Sequence, residues 1–410
     1  MKALFVWSDY RITPSQWFMI SVMIVNAGNY AYNLVLGRWV GPDVFSNIAL
    51  LITLLLVLSF LAMTAQLLCA KYVIELPKDK VENFKKVLYK YSFLAGGLLG
   101  VVCVLNASNL KQLFNVPSEQ VFYIFGLGIP LYFIMSVSRG ILQGKQQFIG
   151  LSQSYLLEMF ARLTITFFLI GFNLVEATFA VGIGIFMSFV FGMFPNQFKW
   201  SNIKTKSKLT SIQRKSIFNF LIITLLYEGT QILINNSDIL IVKHYFNNYR
   251  SGLYASLALI GRVVYFVIWM LIMILLPKLI EAKKEGENPK AIFNKYLKYI
   301  VSFTSILIFG CYLFPETIIS LLFGKEYIAL SYLLYKYAMA TSLFALANLF
   351  IYYFLSISKY KPVIIAMFFG IAQVLLLIIF HISLAQVVHV QITLMFILLL
   401  FTLFYYRVYS

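Results

Sequence analysis

Long apolar stretches recur from Gln16 to Tyr406, separated only by short polar breaks. A spanning helix takes about 20 apolar residues, and the stretches divide into roughly twelve units of that length. Their centres fall near Val25, Val57, Leu98, Ile129, Thr166, Ile185, Leu226, Val264, Leu307, Phe344, Gln373 and Phe396. Barrel strands would alternate apolar and polar positions over about 10 residues, and runs such as Leu51 to Leu61 or Leu394 to Leu403 do not alternate. The pattern predicts an all-α polytopic membrane protein. The first stretch starts near Gln16, is long enough to span and is not followed by a small-residue cleavage site, so it is expected to stay in the membrane.

Charge adds an orientation. Of the 33 lysines and arginines, 25 lie at the ends or in alternate breaks, six in each of Lys71 to Lys90, Lys199 to Lys215 and Lys278 to Lys298. The opposite loops hold only Arg38, Lys111, Lys243, Arg250 and Lys325. Positive residues stay on the cytoplasmic side, which predicts that both termini and the lysine-rich breaks are cytoplasmic. The formal net charge of +18 is then mostly a topology signal. Spread over separate short loops, it points to anionic lipid headgroups as partners and not to nucleic acid. Cys69, Cys103 and Cys311 sit singly in apolar segments, as do the three histidines. No disulfide framework, metal clip or enzyme motif emerges, so no cofactor is expected beyond a coupling ion.

An internal repeat is suggested at an offset of 205: Asn26, Asn33 and Arg38 in and after the first helix recur as Gln231, Asp238 and Lys243 in and after the seventh. The expected organisation is an N-terminal lobe over 1–198, a basic cytoplasmic linker over 199–216 and a C-terminal lobe over 217–410. Two six-helix lobes of this kind would both enter the membrane from the cytoplasm and surround a central cavity.

Three segments carry a resemblance. The string Leu36-Gly-Arg-Trp-Val-Gly-Pro-Asp-Val-Phe45, the string Arg139-Gly-Ile-Leu-Gln-Gly-Lys-Gln-Gln-Phe148, and Glu158 to Arg162 resemble the oligosaccharide flippases of O-antigen and related polysaccharide pathways. These belong to the multidrug/oligosaccharidyl-lipid/polysaccharide exporter superfamily. The resemblance implies a non-enzymatic transporter of the bacterial cytoplasmic membrane that moves an undecaprenyl-diphosphate-linked oligosaccharide outward, coupled to H⁺ or Na⁺. It also implies a polysaccharide polymerase and chain-length machinery as partners.

Polar residues inside the spans are costly and therefore informative. Glu158 and Arg162 are four apart on one helix face, where they either form an internal ion pair or present Arg162 to a diphosphate while Glu158 takes the coupling ion. Glu228, Gln231, Asn235 and Asp238 share a face of the seventh helix, and Asn26, Asn29 and Asn33 form a polar stripe on the first. Asparagine stripes between helices are commonly packing hydrogen bonds. Glu228, a buried carboxylate, is a candidate for binding and releasing a proton, whereas Asp238 lies nearer the outer end, where Lys243 or solvent could pair with it. Arg262 is a second candidate cation, which could instead pair with Glu228 across the second lobe; Lys336 is expected to snorkel. Arg38, Arg139 and Lys145 sit at helix ends, where topology explains them as well as substrate binding does. Trp39, Tyr30, Tyr89, Tyr91, Tyr405 and Tyr406 read as interfacial belt residues. The substrate-binding candidates are thus Arg162, Arg262, Asn26, Asn33 and Arg38, and the ion-coupling candidates Glu158, Glu228 and Asp238.

Two other functions fit parts of the pattern. A cation-coupled multidrug exporter would share the architecture, but its cavity would favour acids, and here Arg162, Arg262 and Lys336 match Glu158, Glu228 and Asp238 in number. A membrane-embedded polymerase would need a larger outer loop than Asn106 to Glu119 or Pro315 to Leu330 provides; Leu110 to Val116 and Ile319 to Phe323 within them read as caps.

Overall fold

A computed structural model describes residues 13–195, 209–263, 275, 289–356 and 359–409. Among them the chain is helical, with no strand. The elements are α1 (Pro14–Glu75), α2 (Lys78–Leu105), α3 (Ala107–Leu113), α4 (Gln120–Gly144), α5 (Phe148–Gly171), α6 (Ala177–Gly192), α7 (Ser211–Tyr245), α8 (described over 248–263), α9 (Pro289–Leu313), α10 (Pro315–Leu322), a 3₁₀ segment (Lys325–Leu333), α11 (Leu334–Ser356), α12 (Lys361–Ile379) and α13 (Leu384–Tyr409). Nine helical segments among the described residues are long and apolar enough to cross a membrane. The protein is a multi-pass membrane protein.

The first of these segments does the work of two. α1 runs for 62 residues but turns at Gly41, whose φ of 73° and ψ of 169° leave helical space immediately before Pro42. Only glycine adopts this φ readily, and the following proline lacks the N–H that would continue the ladder. The helix starts at a reciprocal cap: the Gln16 N–H donates to Thr13 Oγ1 at 3.3 Å, and the Thr13 N–H donates to Gln16 Oε1 at 2.9 Å.

Two of the lysine-rich breaks are more helical than the hydropathy pattern suggests. α1 ends at Glu75 and α2 begins at Lys78, and α9 begins at Pro289, so the lysines from 78 to 90 and from 290 to 298 stand on helices and not in loops. Most of the linker, 199–208, and much of 264–288 lie outside the described residues.

By contacts the chain forms two compact units, Met1–Asn33 with Leu58–Leu225, and Leu34–Val57 with Leu226–Ser410. This differs from a division in chain order at 199–216, because the turn region of α1 belongs with the second half. The physical reason is a set of contacts inside the second unit. Tyr327 donates from its hydroxyl to the Gly37 carbonyl at 2.7 Å, Phe45 packs on Phe323 with ring centroids 5.6 Å apart, and Arg38 reaches the Leu321 carbonyl at 3.2 Å. A Cβ on Gly252 would overlap the Pro42 carbonyl, so α8 approaches this segment as closely as its backbone permits.

In the first unit α2 packs on α4, α4 on α6 and α5 on α6; in the second α9 packs on α11, α11 on α13 and α12 on α13. With α3 and α10 as the short helices that follow α2 and α9, the two units repeat one order of elements and one set of neighbours, as the matching polar positions suggest.

Burial follows the membrane setting. Leu94, Leu98, Val101 and Leu105 of α2 form an exposed apolar stripe at helical spacing, and Leu105 is 78% accessible, as suits a surface whose solvent is hydrocarbon. The opposite face of α2 meets α4 through small residues, with Gly100 against the Gly126 carbonyl. In the second unit Tyr406 is half-buried. It packs in an aromatic core with Phe293, Phe350 and Tyr353 at centroid distances of 5.0 to 5.3 Å.

Candidate functional site

Each unit carries its own buried polar cluster. In the first, Arg139 is the organising residue. It is 2% exposed, although the sequence places it near the end of α4. Its Nη2 lies 2.7 Å from Glu158 Oε2, its Nε donates to Ser154 Oγ at 2.8 Å and its Nη2 to the Ser154 carbonyl at 3.0 Å. Its guanidinium also stacks over the Tyr155 ring at 4.0 Å. For Arg139, where helix-end topology and substrate binding fit the sequence equally well, α5 supplies an acid, a hydroxyl, a carbonyl and a ring that together hold it inside.

Glu158 and Arg162 do share a face, but the same-helix partner is the looser one. Arg162 Nη1 stands 3.8 Å from Glu158 Oε1, while Nη2 donates to Asn29 Oδ1 of α1 at 2.7 Å. Arg162 is 6% exposed, and its Nε is buried without a hydrogen-bond partner among the described residues. The cluster thus holds two guanidinium groups against one carboxylate, and one of the guanidinium groups is incompletely paired. A turn further along α5, Thr166 hydrogen-bonds the Tyr32 hydroxyl at 3.0 Å.

Of the α1 stripe, Asn29 is the member that meets a charge. Asn33 spends its Nδ2 on the Asn29 carbonyl one turn back, at 2.8 Å, and Asn26 is exposed. Arg38 is exposed as well, bound to the Leu321 carbonyl. Within the first unit, Asn29 and not Asn26 or Asn33 is the stripe residue that hydrogen-bonds Arg162 among the described residues.

In the second unit the polar cluster centres on Asp238, which is 1% exposed. Its Oδ2 accepts from the Tyr337 hydroxyl at 2.7 Å and the Tyr254 hydroxyl at 2.9 Å, and Arg262 Nη2 lies 3.8 Å from its Oδ1. Arg262 also donates to the Asn235 carbonyl. Two expectations are corrected here. Arg262 pairs with Asp238 and not Glu228, and Asp238 does not turn to Lys243 or solvent, because α8 and α11 supply buried donors on its own level. Replacing Tyr337 with Phe removes a hydrogen bond to a charged acceptor and should cost about 1.5–3 kcal/mol, measured as a lowered unfolding midpoint of the purified protein.

Lys243 has a separate place. It is 1% exposed, and its ammonium donates to Ser46 Oγ at 2.9 Å and Asn47 Oδ1 at 2.7 Å, and also to Asn248 Oδ1. The rest of the α7 stripe is packing: Gln231 donates to Asn348 Oδ1 at 3.2 Å, and Asn235 donates back to Gln231. Glu228 differs. It is 6% exposed and has no hydrogen-bond or ion-pair partner among the described residues. A small cavity of about 20 Å³, room for one water, opens beside Arg262 between Asn235, Tyr337, Gln373 and Gln391. Lys336, half-buried, meets His389 Nε2 at 3.2 Å and takes no part in either cluster.

Comparison with known proteins places this architecture. A multidrug resistance transporter of the MATE family and MOP superfamily, in an inward-facing conformation, is 13% identical with a TM-score of 0.73, over 96% of this chain and 98% of that one. Lipid II flippase MurJ, in an inward closed conformation, is 17% identical with a TM-score of 0.74, over 95% of this chain and 87% of that one. A MOP superfamily transporter from Pyrococcus furiosus, described as having a binding pocket of reverse polarity, is 14% identical with a TM-score of 0.61, over 96% of this chain and 95% of that one. An uncharacterized membrane protein of Methanocaldococcus jannaschii is 23% identical over 266 residues, 60% of this chain and 61% of the relative, so the match spans less than two thirds of that protein. The fold of the chain is thus similar to that of these MOP superfamily structures. The model of the polysaccharide biosynthesis protein family matches residues 35–332, and the chain belongs to that family.

Proposed function

We propose that the protein is a flippase that moves an undecaprenyl-diphosphate-linked oligosaccharide, an O-antigen or other surface polysaccharide unit, from the inner to the outer leaflet of a bacterial cytoplasmic membrane. The observation that carries this reading is the excess of buried positive charge in the first unit, where Arg139 and Arg162 share Glu158 and Arg162 keeps an unpartnered Nε. A guanidinium that stays charged when buried and presents parallel N–H groups suits a diphosphate. In a chain of the polysaccharide biosynthesis family, that chemistry favours a lipid-linked sugar over a cationic drug.

The mechanism is alternating access with both termini cytoplasmic. Arg162 meets the diphosphate; Arg139 fixes Glu158 and so keeps that carboxylate from neutralising Arg162 fully. Arg262, held by Asp238, is a secondary cation. H⁺ or Na⁺ resets the cycle at Glu228, the buried acid without a partner among the described residues. Differential affinity of the two states for that ion supplies the driving force. Asp238 and Glu158 are already bonded to cations and hydroxyls and serve less well as ion sites. No other cofactor is required, and a polymerase with its chain-length machinery receives the product.

The test is mass spectrometry of lipid-linked oligosaccharides from the native host with and without the gene. Deletion should cause one undecaprenyl-diphosphate glycan to accumulate. An unchanged lipid pool with intact surface polysaccharide would overturn the reading.

A further inference from the structure

At the lysine-rich end of the first unit lies a groove of about 440 Å³. Its walls are Leu67 and Ile74 of α1, Phe148 of α5 and Phe220 of α7, with Ala70 and Gly144 as its floor. The floor is shallow because α4 comes close to α1 there: a Cβ on Gly144 would stand 2.7 Å from the Ala70 carbonyl. The wall residue Ile74 is 65% exposed, and neighbouring Ile149 is 53% exposed. Apolar surface therefore runs continuously from the groove onto the outside of the unit.

One edge of the groove is cationic. Lys71 lines it, with its ammonium 4.3 Å from the centre of the Phe220 ring. Glu75 is its sole acid partner among the described residues, at 3.8 Å, and both side chains are more than a third accessible, so that pair is weak and opens readily. Lys145, exposed at the C-cap of α4, follows directly on the floor residue Gly144. Gln146 continues the turn in a left-handed conformation with φ of 55° and also lines the groove. The site is thus an alkyl-shaped trough with the Lys71 ammonium at its edge, located where the spanning helices end in basic residues.

We propose that this groove holds an anionic glycerophospholipid, its acyl chain against Leu67, Ile74, Phe148 and Phe220 and its phosphate at Lys71. Charge complementarity selects this occupant. A free phosphate would leave the apolar trough unfilled. The assignment stands apart from the transported cargo, since none of the lining residues belongs to the Arg139–Glu158–Arg162 cluster.

The test uses the full-length protein, purified, delipidated in detergent and titrated by native mass spectrometry with dioleoylphosphatidylglycerol, dioleoylphosphatidylcholine or undecaprenyl phosphate. One phosphatidylglycerol should bind per chain in preference to phosphatidylcholine. Lys71→Met, which keeps the apolar stem and removes the charge, should weaken phosphatidylglycerol about five-fold, the effect of one lysine at an anionic headgroup, and Lys71→Arg should retain it. Equal binding of the two phospholipids, or unchanged binding by Lys71→Met, would overturn the proposal. So would displacement of phosphatidylglycerol by equimolar undecaprenyl phosphate, which would give the groove to a lipid carrier instead.

Discussion

Arg139→Met should destabilise the protein by about 3–5 kcal/mol, the cost of breaking a buried ion pair by removing one partner. The substitution leaves Glu158 charged and buried, facing only the Arg162 Nη1 at 3.8 Å, and removes both hydrogen bonds to Ser154 and the stacking on Tyr155. Ser154 itself donates to the Gly192 carbonyl at 2.6 Å, so the loss loosens the join between α5 and α6 as well. Denaturant or thermal unfolding of the purified variant measures the effect, with low membrane yield as its cellular counterpart. Arg139→Met combined with Glu158→Met should recover much of the stability, because the unpaired carboxylate goes too. Additive losses in that double variant would show that the two residues are not energetically coupled.

Arg162→Ala should have the opposite profile. Its side chain gives the fold one short hydrogen bond, to Asn29, and a long ion pair, so the protein should accumulate at close to normal levels. Transport of the lipid-linked glycan should fall about a hundred-fold, equivalent to losing about 3 kcal/mol of charge-assisted hydrogen bonding to the diphosphate. Arg162→Lys keeps the charge without the planar fork and should restore only part of the activity. The readout is the ratio of accumulated lipid-linked oligosaccharide to surface polysaccharide, normalised to protein in the membrane. Normal transport by Arg162→Ala would remove the residue from the mechanism while leaving its place in the cluster intact.

The contrast between these two arginines marks the limit of what the sequence displays. Spans are legible because apolar runs are local, and the Glu158–Arg162 face is legible because helical spacing is local. The stronger partner of Glu158 sits on another helix, and a cation near a helix end is ordinarily read as a topology signal. Only the turn at Lys145 to Gln147, which folds α5 back along α4, brings Arg139 to it. Asp238 illustrates the same point: its donors are 16 and 99 positions away, beyond any periodic pattern. The polar stripe on α1 is visible in the sequence, but which asparagine meets Arg162 depends on how α1 is rotated against α5. Close packing of Gly28 on Met159 fixes that rotation. The element order of the two units, by contrast, is foreshadowed by the paired positions 205 residues apart.

The membership of Leu34–Val57 in the second unit also bears on how the protein is made. This segment leaves the ribosome early, yet the residues that hold it, Lys243, Gly252, Phe323 and Tyr327, are synthesised only after the whole first unit. The turn at Gly41 must therefore wait with Ser46 Oγ and Asn47 Oδ1 still without the ammonium that donates to them. Biogenesis of the two units is not sequential: the second closes around a strip of chain made before the first was complete. Halves divided at the basic linker and produced apart would each be mismatched, one carrying a segment it does not use and the other lacking the acceptors for a buried lysine.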